Sequence, residues 1–219
     1  SLKCLAHLAK DGTYPCGMAT VVATEGSSYR RTGARMILGK QGARYGAISG
    51  GCLEEDMVIH LQAVIKTGVP QTLVYDTTQE NDLVWGVGLG CNGKVTLLLE
   101  RLDQHPPALL FATDAADRRR MACVLATAFD ETNPAINGIL FATDASGARW
   151  DPPMEATWRA PIVRAAQEVL EQRRSLTRSF PQLSSTLALF FEYVPPTPQL
   201  LIVGAGDDAQ PLARLASEL

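Results

Sequence analysis

Stripes and alternations of apolar residues divide the chain into a series of short elements. Residues 2–10 place Leu2, Leu5, Ala6 and Ala9 on one helical face, ended by Asp11-Gly12. Residues 17–24, rich in Val and Ala, predict a strand, and residues 25–28 a turn. Strands over 35–38 and 44–48 are joined by a tight connection over 39–42. From Cys52 onward Leu53, Met57, Leu61 and Val64 share a helical stripe, flanked by Val58 and Ile65. Thr67-Gly68 stops that helix, and Pro70 follows. A strand over 71–75, a polar loop over 76–83 and a strand over 94–100 come next.

The remainder alternates in the same way. Residues 107–118 predict a helix opened by proline. Residues 121–129 and 138–143 predict strands joined through Asn133-Pro134. The letters FATDA stand at 111–115 and again at 141–145. Five letters are too few to make a repeat, and the two copies are expected in different structures. Residues 161–173 predict a helix with Ile162, Ala166, Val169 and Leu170 on one face, and residues 186–194 a strand. Pro195-Pro196-Thr197-Pro198 reads as a stiff linker. Beyond it, residues 199–203 form an apolar run of the kind buried on both faces of a parallel sheet, followed by Gly204-Ala205-Gly206 and a helix-like run. One strand and one helix cannot bury a nucleotide-binding sheet. This end is therefore expected to open a domain truncated at Leu219, or to pack on another surface. The expected fold class is α/β, with a mixed-sheet N-terminal domain over 1–194 and a linker over 195–198. The first strand–helix unit of a Rossmann-like domain then occupies 199–219.

Composition narrows the function. The 219 residues are 46% hydrophobic and 20% charged, as in ordinary globular proteins. A net charge of -3 leaves no basic excess for sequence-independent nucleic-acid binding. The tight basic run Arg118, Arg119 and Arg120 reads as a solvated helix end. No stretch approaches the roughly 18–20 apolar residues of a membrane span, and no secretory signal is visible. The five cysteines are odd in number and lack zinc-type spacing, which suits reduced thiols in a cytoplasmic protein.

Four constellations could carry chemistry. In GAISGGCLEED, residues 46–56, two glycines between a strand and a helix can aim backbone N–H groups at an anion. Cys52 is expected in the first helical turn, where the helix dipole favours a thiolate. Glu54, Glu55 and Asp56 crowd the same turn, so a plain glycine N-cap is the alternative. In WGVGLGCNG, residues 85–93, four glycines either cradle a bulky ligand beside Cys91 or form a hairpin at Asn92-Gly93. In EGSSYRRTGARM, residues 25–36, Ser27, Ser28, Arg30, Arg31 and Arg35 could bind a phosphate or simply face water. GAGDDA, residues 204–209, fits the G-x-G-x-x-A dinucleotide turn through Gly204 and Gly206. Asp207 and Asp208 there oppose a pyrophosphate. His7, His60 and His105 have no metal-ligand spacing, and no nucleophile–base pair has a recognisable spacing.

The runs GSSYRRTGARMIL, GAISGGCLEED and WGVGLGCNG, in that order and spacing, resemble the N-terminal domain of the XdhC/CoxI family of xanthine dehydrogenase accessory proteins. LLIVGAGDDAQPLARLA resembles the start of that family's Rossmann-like domain, although Asp207 stands where the family often has His. The resemblance covers 2–102 and 200–219. It implies a chaperone, rather than a catalyst, that binds molybdenum cofactor (molybdopterin) and supports its sulfuration. Insertion into an apo molybdenum hydroxylase follows, with a cysteine desulfurase as the sulfur source. By matched position, Cys52 and Cys91 would contact the cofactor or carry persulfide sulfur, and either could ligate molybdenum. Ser49, Gly50, Gly51, Gly88, Gly90 and Asn92 would shape the pocket, with Arg30 and Arg35 on the anion. The alternative class is a nicotinamide-dependent oxidoreductase using NAD(P) at Gly204 and Gly206. A third class has glycines that only make turns. A homodimer would cover the apolar helix face and strand edge of the partial C-terminal unit.

Overall fold

A computed structural model describes residues 14–76, 93–104, 106–150, 154 and 156–218. The helix expected over 2–10 and most of the loop expected over 76–83 lie outside the described residues. Strands β1 (Cys16–Gly26), β2 (Arg35–Leu38) and β3 (Arg44–Gly46) are followed by helix α1 (Glu54–Thr67), then β4 (Gln71–Asp76) and β5 (Gly93–Leu102). Helix α2 (Pro107–Asp117) leads to β6 (Cys123–Phe129), β7 (Gly138–Asp144) and β8 (Arg149–Trp150). Helix α3 (Ala156–Gln172), β9 (Leu176–Ser179), β10 (Ala188–Val194) and helix α4 (Ala209–Glu218) complete the order. The class is α/β, as expected. The described strand pairs are all antiparallel, however, and not mixed.

The two sheets have one topology. Their strand orders are β3-β2-β1-β5-β4 and β8-β7-β6-β10-β9, so the second repeats the first with every number raised by five. Each half also places one helix between its third and fourth strands, α1 in the first and α3 in the second. The registers agree residue by residue. Cys16 pairs with Leu102, Met18 with Glu100 and Thr20 with Leu98. Cys123 pairs with Val194, Leu125 with Glu192 and Thr127 with Phe190. The matched strands read CGMAT and CVLAT, then LLLERL and LFFEYV.

The period-two alternation of the strands sends one face outward to a helix and the other inward. Met57, Leu61 and Val64 of α1 cover Ala19, Val21, Leu97 and Leu99. Ile162, Ala165, Ala166 and Val169 of α3 cover Val124, Ala126, Leu189 and Phe191. The inward faces meet each other: Cys16, Met18 and Ile37 share a core with Cys123, Leu125 and Val194. Val22 and Leu98 share another with Phe129 and Phe190. The result is a helix–sheet–sheet–helix stack. Alanines 108, 112, 115 and 116 of α2 add to the inter-sheet core, where their small side chains allow close approach.

Several expectations need correction. The strand expected over 44–48 ends at Gly46, whose φ of 79° leaves extended geometry. Helix α3 begins at Ala156, so Pro161 lies inside it and does not open it. Residues 199–203 form no strand; Leu201 and Val203 are 85% and 91% exposed. An apolar run becomes a strand only when a neighbouring strand takes its hydrogen bonds, and none is described beside it. The 195–198 segment is docked and not merely a spacer. Thr197 N–H donates to the Ala116 carbonyl at 3.1 Å, and Arg120 Nη1 donates to the Thr197 carbonyl at 2.9 Å. The basic run is therefore only partly solvated. Arg118 faces water, whereas Arg119 pairs with Asp114 and Asp144 and lies over the Phe111 ring. The two FATDA copies differ as expected, one in α2 and one mostly in β7.

Candidate functional site

An open cleft of about 930 Å³ lies where the β1–β2 turn and the β3 end of the first half face β9–β10 of the second. Four arginines line it, Arg30, Arg31, Arg35 and Arg44, against one carboxylate, Glu192. On a chain of net charge -3 this is a local reversal of sign.

Two of the four arginines are committed. Arg35, fully buried on β2, donates from Nη1 and Nη2 to the two Glu192 oxygens of β10 at 3.0 and 2.6 Å. Its Nη1 also donates to the Gly33 carbonyl at 3.2 Å. This bidentate pair forms the floor of the cleft and bolts one sheet to the other. Gly33 permits it: φ is +87°, and a Cβ there would lie 3.0 Å from Glu192 Oε1. Arg44 is held at the rim by Glu55, at 2.6 and 3.1 Å. Arg30 and Arg31 are exposed and have no carboxylate partner among the described residues. On the opposite wall, Ser175 Oγ accepts from the Tyr193 N–H at 2.9 Å, fixing the start of β9 against β10.

The loop from Ser49 to Cys52 abuts this cleft. Arg30 Nε donates to the Ser49 carbonyl at 3.3 Å. Gly50 is pressed on Tyr29, since a Cβ there would lie 2.9 Å from the ring. The loop's own N–H groups are largely consumed. Gly51 and Leu53 donate to Ser49 Oγ at 3.1 and 3.2 Å, while Ile48 and Ser49 donate to Glu54 Oε1 at 3.3 and 2.9 Å. Ser49 Oγ also donates to Glu54 Oε2. Burial pushes the Glu54 carboxyl up, but these hydrogen bonds outweigh it and hold it below its ordinary value. Four of the N–H groups that an anion nest could use are thus spent on an internal Ser49–Glu54 cap.

Cys52, expected in the first helical turn, instead precedes α1 by two residues, in an exposed turn with a free thiol. Cys16 and Cys123 are opposite in character. Burial pushes their thiols up, to about 11 and about 12, which makes them inert packing residues. Gly88, Gly90, Cys91 and Asn92 lie outside the described residues. Gly93, which follows them, pairs with Gly26 at the start of the β1–β2 turn. Gly204 and Gly206 lie in the exposed segment before α4, away from the cleft lining. Among the described residues no three His, Cys, Asp or Glu side chains converge as a metal site, and no helix is long and apolar enough to cross a membrane.

Glu192, Ser175 and Tyr193 had no motif to announce them. The signal that could have found Glu192 is the likeness of LFFEYV to LLLERL, a charged residue at one position of two apolar strands.

The model of the XdhC and CoxI family matches residues 10–76, which hold the β1–β2 turn, the Ser49 loop and Cys52. A Bacillus subtilis (strain 168) protein named as a probable xanthine dehydrogenase subunit is 32% identical over 203 residues. The chain belongs to the XdhC and CoxI family. The match covers 92% of this chain and 56% of the Bacillus subtilis protein. A crystal structure described as a xanthine dehydrogenase from Bacillus halodurans is 29% identical, with a TM-score of 0.70 over 99% of this chain and 59% of that one. This XdhC and CoxI member therefore spans little more than half the length of either relative. Ser175, Glu192 and Tyr193 lie outside the family-model match, so one wall of the cleft is built by residues that the family signature does not reach.

Proposed function

We propose that the chain acts as an accessory protein to a xanthine dehydrogenase-type molybdenum hydroxylase and handles molybdenum cofactor as its cargo. Family membership supports the accessory role, and the names of both relatives support its link to xanthine dehydrogenase. The observation that carries the cofactor reading is an exposed thiol, Cys52, on a loop packed against an arginine-lined cleft. The donor set fits such cargo. Guanidinium forks match a phosphate, and a thiolate is the side chain suited to a soft metal–sulfur centre. The cleft volume lies in the range of small-molecule sites.

In this reading Arg30 meets the anion, while Arg35 shapes the floor with Glu192. Ser49, Gly50 and Gly51 present Cys52, and the second loop, with Gly88, Gly90, Cys91 and Asn92, completes the pocket. Sulfuration from a cysteine desulfurase and delivery to the apo hydroxylase follow from the same role. Residues 199–219, with Gly204 and Gly206, belong to a Rossmann-like unit.

The test is purification from a molybdenum-replete host, with molybdenum and pterin assayed per chain. Near-stoichiometric cofactor is expected in the wild type and is lost in Cys52→Ala and in Cys91→Ala. Wild-type loading in both variants removes the thiols from the site; absence of pterin from every form overturns the cofactor reading.

A further inference from the structure

The two halves of the molecule carry equivalent turns of opposite chemistry. The β6–β7 turn holds Asp130 and Glu131 and no cation between β6 and β7. Asp130 knots it shut. Its Oδ1 accepts from the Thr132 N–H at 2.8 Å, the Thr132 hydroxyl at 2.7 Å and the Thr186 hydroxyl at 2.8 Å. Burial pushes Asp130 up, but those hydrogen bonds prevail and hold it down at about 2. The β1–β2 turn, at the same place in the first half, carries Arg30 and Arg31 and stands open to the cleft.

The glutamates beneath the turns are equivalent in register and opposite in pairing. Glu192 reaches from the second half under Gly33 of the first and meets Arg35. Glu100 reaches from the first half under Gly138 of the second, where a Cβ would lie 2.8 Å from its Oε1. The β7 residue that pairs with Thr127, as Arg35 pairs with Thr20, is Ile139. The fold therefore offers two similar places. Arg149 of β8 matches Arg44 of β3 in register, so both have an arginine on that strand, but only the first is furnished with cations on its turn.

We propose that this furnished place is a composite phosphate-recognition site, built by both halves, in which Arg30 and Arg31 contact the ligand. Arg35 and Arg44 are held back by Glu192 and Glu55 and serve to position the walls. Two neighbouring guanidiniums call for a dianion or a pyrophosphate more than for a single carboxylate. Two free cations are too few for a nucleic-acid backbone on an acidic chain. The site rests on the same cleft as the cofactor reading, but its test needs no cofactor.

The probe is pyrophosphate, titrated calorimetrically into the full chain at low salt. Binding is expected, weakening as salt rises, and the double variant Arg30→Ala/Arg31→Ala loses at least about tenfold in affinity. Glu192→Gln, in the second half, removes the single lining carboxylate and is expected to tighten binding severalfold. Circular dichroism establishes that each variant folds, and the charge-preserving Arg30→Lys/Arg31→Lys pair is expected to retain part of the affinity. No binding by the wild type, or wild-type affinity in the alanine double variant, overturns the site. Unchanged or weaker affinity in Glu192→Gln overturns its composite construction. Pyrophosphate that binds without displacing pterin leaves this site standing and removes the cofactor from the cleft.

Discussion

The first half, β1 to β5 with α1, and the second half, β6 to β10 with α3, share strand order, register and helix placement. Their inward faces even match by residue type, Cys16 with Cys123, Thr20 with Thr127 and Glu100 with Glu192. They differ in what joins the strands. The first half spends 16 residues between β4 and β5, a stretch that includes most of one glycine–cysteine loop; the second needs only eight between β9 and β10. The first half places Ser49 to Cys52 before its helix, and the second places Asp151, Pro152 and Pro153 there. Shared features thus identify what the fold requires, and unshared ones identify what it carries.

The largest expected effect breaks the bolt between the halves. Arg35→Met leaves Glu192 buried without its cation and should cost about 3–5 kcal/mol in urea unfolding. Arg35→Met combined with Glu192→Leu should recover most of it.

The next contrast is between the paired glutamate and its counterpart. Burial pushes Glu100 up from 4.5 to about 7, with Arg35 pulling the other way. The folded state then holds a proton that the unfolded state has released between those two values. Stability from this group is full below pH 4.5 and is lost as pH rises through about 7, by up to roughly 3 kcal/mol. Glu100→Gln should abolish that slope; a slope unchanged in the variant would assign it to another group.

Gly33→Ala and Gly138→Ala probe the two turns. Both positions have positive φ and a glutamate oxygen within 3.0 Å of the new Cβ, so each should cost about 1–2 kcal/mol. Only Gly33→Ala should also weaken pyrophosphate binding. The smallest effect belongs to the tail. Leu201→Lys, at a side chain 85% exposed, should shift stability by less than about 0.5 kcal/mol.

Much of this architecture was legible. Alternation over 17–24 and 35–38 and the stripe Met57, Leu61 and Val64 gave β1, β2 and α1 to within a few residues. Strand β9, LTRS, was not, because four residues with a half-exposed alternating pattern look like loop. Pro161 misplaced the start of α3, since proline marks a first turn far more often than a helix interior. The repeat escaped because its identities are a few letters in two strands, while the loops, where motifs are sought, diverge. The site was half legible: Arg30, Ser49 and Cys52 lie in motifs, but the wall from Glu192 comes from 157 residues beyond Arg35. A side-chain partner from the facing sheet at that separation is chosen by the fold, and only the likeness of LFFEYV to LLLERL hints at it.

The joining of the halves by α2 has a further consequence. Two identical chains that met through these faces would have to keep every turn in duplicate, and any change would appear twice. Tethered in one polypeptide, the halves meet at a local concentration set by the connection and not by abundance. One turn is then at liberty to become a clasp for structure, as Asp130 has made it, while its twin stays open for a guest.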